Sequence, residues 1–198
     1  MTEMMRIGFR APPPGPALVG AVLAGAMLAG AGALAHGGAE GVVKDRMEAM
    51  KEIAGATKAI ARMLKGASDY DPDSVRAQAG VIAGHGGEAL VAMFPRGTDH
   101  APSEAAPAIW SDAEGFATLA AQLKQAAEAL AAAAGNPRGP EAMKQAGMGA
   151  GMMSGTGSAM MADGGPSAEQ LARMPPDAAF MHLARTCKAC HQDYRIEK

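Results

Sequence analysis

Two cysteines three residues apart and a histidine directly after them, Cys187-Lys188-Ala189-Cys190-His191, stand near the end of a 198-residue chain. On a helix, positions i, i+3 and i+4 share a face. Both thiols then meet one flat partner from the same side while the imidazole is held beneath it, which is the pattern of c-type haem attachment. Tyr194 extends the same stripe, and the motif uses every cysteine in the chain. A fold that carries it needs a helix over this stretch and an apolar wall opposite.

The rival readings find less support. A structural zinc site takes four ligands, commonly from a second Cys/His pair, and His36, His85, His100 and His182 are scattered singly. A thioredoxin-like dithiol belongs to a βαβ pattern, whereas no convincing strand is present. A disulfide across two residues would close too small a loop to stabilise much.

Covalent haem attachment takes place outside the cytoplasm, and the N-terminus fits export. Arg6 and Arg10 precede an uncharged apolar run from Ala17 to Ala35, and Ala33-Leu34-Ala35 is an A-x-A cleavage site before His36. Residues 1–35 therefore read as a secretory signal, with an uncleaved anchor as the weaker alternative because the run is rich in Gly and Ala. Removing Glu3, Arg6 and Arg10 from 18 basic and 20 acidic residues leaves 16 and 19, a charge of −3. Nothing in that balance calls for nucleic acid. Residues 36–198 fit one domain, and abundant alanine with no β-branched runs points to an all-α fold with close helix contacts.

Four helices are expected. The first runs from about Gly41 to Gly66, with Val43, Met47, Met50, Ala54, Thr57, Ala61 and Leu64 as its apolar seam. On periodicity alone Met50 reads as a core methionine and Arg46, one turn earlier, as a solvated charge. Asp71-Pro72 opens the second helix, whose stripe is Val75, Ala79, Ile82, Gly86, Ala89 and Met93 up to Phe94-Pro95. Gly80, Gly84, Gly86 and Gly87 each cost about 1 kcal/mol of helix propensity, which suggests close approach by another helix or something flat. His85 among them reads as a surface or polar-core residue.

After a proline-containing connection, Ser111-Asp112-Ala113-Glu114 reads as a capping box. The third helix follows, with Phe116, Leu119, Leu123, Ala126, Leu130 and Ala133 inside, ending at Gly135-Asn136-Pro137. Residues 147–165 form a low-complexity Gly/Met/Ser/Ala insertion. Its methionines Met148, Met152, Met153, Met160 and Met161 offer thioethers for Cu(I), against the simpler reading of a flexible loop. Pro175-Pro176 begins the last helix, with Phe180, Leu183, Cys187, Cys190, His191 and Tyr194 as its inner stripe.

Four amphipathic helices with the haem motif on the last resemble the cytochrome c′ family, the class II cytochromes c. Arg46-Met47-Glu48-Ala49-Met50-Lys51 is similar to the family's first-helix element. Phe94-Pro95 and Ile109-Trp110-Ser111 are similar to its interhelix segments, and Cys187 to Arg195 to its haem-binding terminus. The resemblance implies an antiparallel four-helix bundle with one haem c held covalently through Cys187 and Cys190 near the C-terminus. It further implies His191 on the iron, Met50 facing the iron from the other side, and Arg46 near the haem propionates. Leucine at the Met50 position leaves iron five-coordinate, whereas methionine supplies a possible ligand; both low-spin His/Met members and members with an unbound methionine carry it.

The expected function is a periplasmic carrier of single electrons with His/Met ligation, exchanging electrons with redox partner proteins and not associating stably with the membrane once the signal is cleaved. A five-coordinate protein binding NO or CO is the alternative, and copper handling through the Met-rich insertion is a third. No paired carboxylates, nucleophile-base pair or phosphate loop indicates an enzyme. A homodimer is left open.

Overall fold

The computed structural model describes residues 38–145 and 165–196. The expected secretory signal at 1–35 and all but the last residue of the expected 147–165 insertion, with its five methionines, lie outside the described residues. Eight helices are present among those described: α1 (Gly41–Leu64), α2 (Pro72–His85), α3 (Glu88–Ala92), α4 (Ala108–Ser111), α5 (Ala113–Ala133), α6 (Pro140–Gln145), α7 (Ala168–Arg173) and α8 (Pro176–Tyr194). The long ones, α1, α2 continued by α3, α5 and α8, form an antiparallel four-helix bundle. In place of strands, the described residues hold a single isolated bridge between Ala105 and Arg195.

Two side-chain knots define the ends of the bundle. At one end, Arg138 donates to the Leu64 carbonyl (3.1 Å), pairs with Asp177 (3.1 Å) and lies 3.8 Å over the Tyr70 ring. Tyr70 in turn donates to the Ala134 carbonyl at 2.6 Å. The end of α1, the approach to α2, the end of α5 and the start of α8 are thereby gathered together. At the other end, Arg46 near the start of α1 reaches the segment after α3, while Tyr194 at the end of α8 reaches the start of α5. This up-down-up-down order puts the Met50 turn of α1 and the haem motif of α8 at the same end.

The buried stripe of α1 lies one residue away from the expected one. Val43, Arg46, Ala49, Ile53, Ala56, Ile60 and Met63 are buried, while Met50, Thr57 and Leu64 flank them and Ala54 is exposed. The sequence reading is corrected for a definite reason: a charge at 46 disqualified the true seam, and Arg46, taken as solvated, is only 3% exposed.

The second expected helix is in fact two. Asp71 accepts from the Asp73 and Ser74 amides to cap α2, a contribution of about 1 kcal/mol. The helix stops at Gly86, and Gly87 takes φ 63° before α3 begins. Here α5 comes closest: the Gly87 amide donates to the Ala120 carbonyl at 2.8 Å, and a Cβ on Gly86 would lie 2.9 Å from Lys124 backbone atoms. The break shifts the helical phase, so Leu90 is buried and Ala89 exposed. Gly80 and Gly84, by contrast, have nothing within 4 Å of a built Cβ.

Two further boundaries differ. Asp112, not Ser111, caps α5, accepting from the Gly115 amide, because Ser111 ends the short α4. The segment before α8 contains an unexpected element, α7, with a full Ser167/Gln170 capping box and a buried Leu171 packed on α5.

Candidate functional site

The last two turns of α8 carry the motif, and tertiary bonds fix them. Tyr194 is buried and donates to Asp112 Oδ2 at 2.6 Å, while the Ala106 amide donates to the Tyr194 carbonyl at 3.0 Å. The Ile196 amide donates to the Glu104 carbonyl (2.9 Å), and Arg195 donates from Nε and Nη2 to Glu104 Oε2 at 2.9 and 2.6 Å. A helix end that would otherwise fray is thus tied down one turn beyond His191.

Within this turn Cys187 and Cys190 are half-buried against the main core, which Met50, Phe94 and Phe180 also flank. The thiols are free. Burial pushes Cys187 up from its ordinary value, and burial, with Cys187 and Asp193 adding, pushes Cys190 up to about 11. Protonated thiols of this kind are poor redox dithiols, whose reactivity needs a lowered pKa. His191 is exposed, and its imidazole is pushed down, first by partial desolvation and then by Arg195. A neutral imidazole is the form that donates a lone pair to a metal.

This donor set fits a c-type haem. Two unpaired thiols and a neutral imidazole share one face of a pinned helix. Among the described residues no three His, Cys, Asp or Glu side chains gather as a metal cluster, so the cysteines lack the partners of a zinc site. Met50 sits half-buried on α1 at the same end of the bundle. Close packing runs from α1 to α2, α2 to α5 and α5 to α8, with no comparable approach of α1 to α8. A flat group held by α8 on the side of α1 requires such a separation.

Arg46 is not the solvated charge that periodicity suggests. Its Nη1 donates to Thr98 Oγ1 (2.9 Å) and the Met93 carbonyl (3.4 Å), and its Nη2 to Ser103 Oγ (2.5 Å) and the Thr98 carbonyl. The guanidinium also lies 4.8 Å over Phe94. Desolvation lowers its pKa and Asp99 opposes that shift, but an arginine stays charged. The four Nη hydrogens are committed within the protein, so contact with a propionate falls to Nε or requires an exchange of partners.

Two further described histidines have partners of their own. His85 bonds Glu52 at 2.7 Å across α1 and α2. His182 borders a cavity of about 580 Å³ between α5, α7 and α8, together with Gln122, Leu171, Arg185 and Ala189.

Asp112, Glu104 and Ser103 were not singled out from the sequence. The one local trace is Gly115: a Cβ there would strike both Tyr194 Oη and Asp112 Oδ2. The hydrogen bond to Asp112, aided by burial, pushes the Tyr194 phenol up to about 12. An unfolded tyrosine titrates near about 10, so this contribution to stability is whole below that pH and is lost as pH rises towards about 12. Tyr70 is also raised, chiefly by burial. Tyr194→Phe should therefore flatten, without abolishing, the fall in melting temperature across the alkaline range; equal slopes for the two proteins would count against the bond.

Comparison with known proteins adds independent observations. The family model described as Cytochrome C′ matches residues 41–153, a span that ends before Cys187. Cytochrome c-556 of Agrobacterium tumefaciens (strain B2A) is 32% identical over 163 residues, covering 80% of this chain and 99% of that protein. The structure of cytochrome c′ from Rhodopseudomonas palustris is 25% identical with a TM-score of 0.56, over 81% of this chain and 99% of that one. The nitric oxide complex of a cytochrome c prime variant from Alcaligenes xylosoxidans is 26% identical with a TM-score of 0.53, over 79% and 94%.

Proposed function

Because the chain belongs to the cytochrome c′ family, whose members carry one covalently bound haem c, we propose that it is a periplasmic single-electron carrier in which His191 and Met50 would hold the iron. The observation that carries this reading is that Met50 on α1 and the pinned Cys187-Cys190-His191 stretch of α8 lie at the same end of the bundle, with Met50, Cys187 and Cys190 packed against one core. Bound there, haem supplies a one-electron Fe(III)/Fe(II) couple, and Met/His ligation raises its reduction potential.

The chain's residues then have separate tasks. Cys187 and Cys190 would hold the group covalently through two thioethers. His191 would offer its imidazole nitrogen to the iron and Met50 its thioether sulfur. Side chains held on packed helices would change position little between the two oxidation states of the iron, which would keep reorganisation small. Arg46 contributes a buried positive charge near that face. Its committed hydrogens make it a poor acid-base group, in keeping with a carrier rather than a catalyst. Export to the periplasm is supported by the N-terminal signal pattern, and no helix of the described residues is long and apolar enough to cross a membrane.

A second reading, a five-coordinate protein that binds NO or CO, is favoured by the nitric oxide complex of the Alcaligenes xylosoxidans relative. Absorption spectra of the ferric and ferrous holo-protein, with and without CO, decide between them. Low-spin spectra with little response to CO are expected. High-spin iron that takes up CO readily would overturn Met50 ligation and select gas binding.

A further inference from the structure

One short segment is bonded to both sides of the candidate site. Thr98 and Ser103 accept from Arg46, which lies one turn before Met50 on α1. A few residues later, Glu104, Ala105 and Ala106 pair with 194–196, one turn beyond His191 on α8. Ser103 joins the two halves, because its Oγ accepts both from Arg46 Nη2 (2.5 Å) and from the Ala105 amide (3.1 Å). Thr98 is held in turn through its hydroxyl, which donates to the Pro95 carbonyl at 2.7 Å.

α1 and α8 do not pack closely on one another; α2 and α5 connect them only through successive packing, whereas the 98–106 segment is bonded to both at this end. We propose that residues 98–106 are a strap that sets the distance between Met50 and His191, with Ser103 as the positioning residue at its centre. The inference rests on the reading that these two side chains face one iron. A thioether–iron bond is sensitive to a displacement of a few tenths of an ångström, whereas thioether links and the imidazole keep α8 attached in any event. Loosening the strap therefore weakens the Met50 side first.

The test is a double-mutant cycle on the holo-protein, read by equilibrium CO affinity of the ferrous form and by amide hydrogen exchange. Ser103→Ala removes the shared acceptor and should raise CO affinity about tenfold, the scale of one lost charge-assisted hydrogen bond. Ser103→Thr keeps the oxygen and should stay near wild type. In a Met50→Leu background the same Ser103→Ala change should leave CO affinity within about twofold. Equal affinity in Ser103→Ala and wild type, or an equal rise in both backgrounds, overturns the strap.

If Ser103→Ala does not accumulate folded, Thr98→Val removes one Arg46 acceptor at nearly constant volume and should act in the same direction, by about threefold; no rise overturns the strap. If wild type proves high-spin and Met50→Leu changes nothing, the ligand reading has failed and hydrogen exchange judges the strap alone. Faster exchange at both the first turns of α1 and the last turn of α8 upholds it, and an effect confined to 103–106 refutes it.

Discussion

Replacing Cys187 and Cys190 together by alanine is expected to give a protein without covalently held haem and with a broad, weakly cooperative melt. The interior explains why. Its buried positions include Ala49, Ala56, Ala79, Ala120, Ala126, Ala127, Ala133 and Ala179, each of which removes little apolar surface from water at about 25 cal/mol per Å². Ile53, Ile60, Ile82, Leu90, Leu130 and Leu183 supply larger side chains, so secondary structure should survive. What is missing is the apolar body that α1 and α8 do not provide to each other. We expect a loss of at least about 3 kcal/mol, the scale on which removal of a cross-link or bound metal acts, hence a fall in melting temperature of roughly 10 °C. Circular dichroism melts and haem content after denaturing extraction check both halves. A sharp melt at the wild-type temperature would falsify the claim that the group completes the core.

How much of this was legible in the sequence depended on the range of the interaction. The haem motif is local, and so are the Asp71-Pro72 start, the Gly135-Asn136-Pro137 stop and the Pro176 entry to α8; these three boundaries agree with the helices observed because their physics lies within one turn. The α1 seam was misplaced because periodicity scores charge as exposed, and Arg46 is buried by acceptors about fifty residues away in sequence. The break at Gly86–Gly87 was foreshadowed by the glycines, yet it needed the position of Lys124 to show which of the four were in close approach. α7 has no counterpart in the sequence reading although Ser167-Ala168-Glu169-Gln170 is a capping box on its face, because that reading passes from the 147–165 run straight to Pro175-Pro176. The strap had no sequence signal: its bonds join residues on different elements through hydroxyls and amides that look ordinary in isolation.

Met50→Leu should convert a low-spin protein into a high-spin one that binds CO at least about a hundredfold more tightly, because CO no longer has to displace an internal ligand and each tenfold corresponds to about 1.4 kcal/mol. Leucine is close to methionine in volume, and such swaps usually cost less than about 1.5 kcal/mol, so the half-buried site on α1 should keep its fold and the spectral change will report ligation rather than unfolding. The reduction potential should fall at the same time, since methionine ligation is what raises it. Met47→Leu is the matched control: Met47 is half-buried on the same helix, and its replacement should leave spectrum, potential and CO affinity as they were. An unchanged Met50→Leu spectrum would remove the thioether from the iron and leave Met50 as apolar wall. The pinned His191 face would then serve a five-coordinate centre open to small gases, and the same bundle would work by binding rather than by electron transfer.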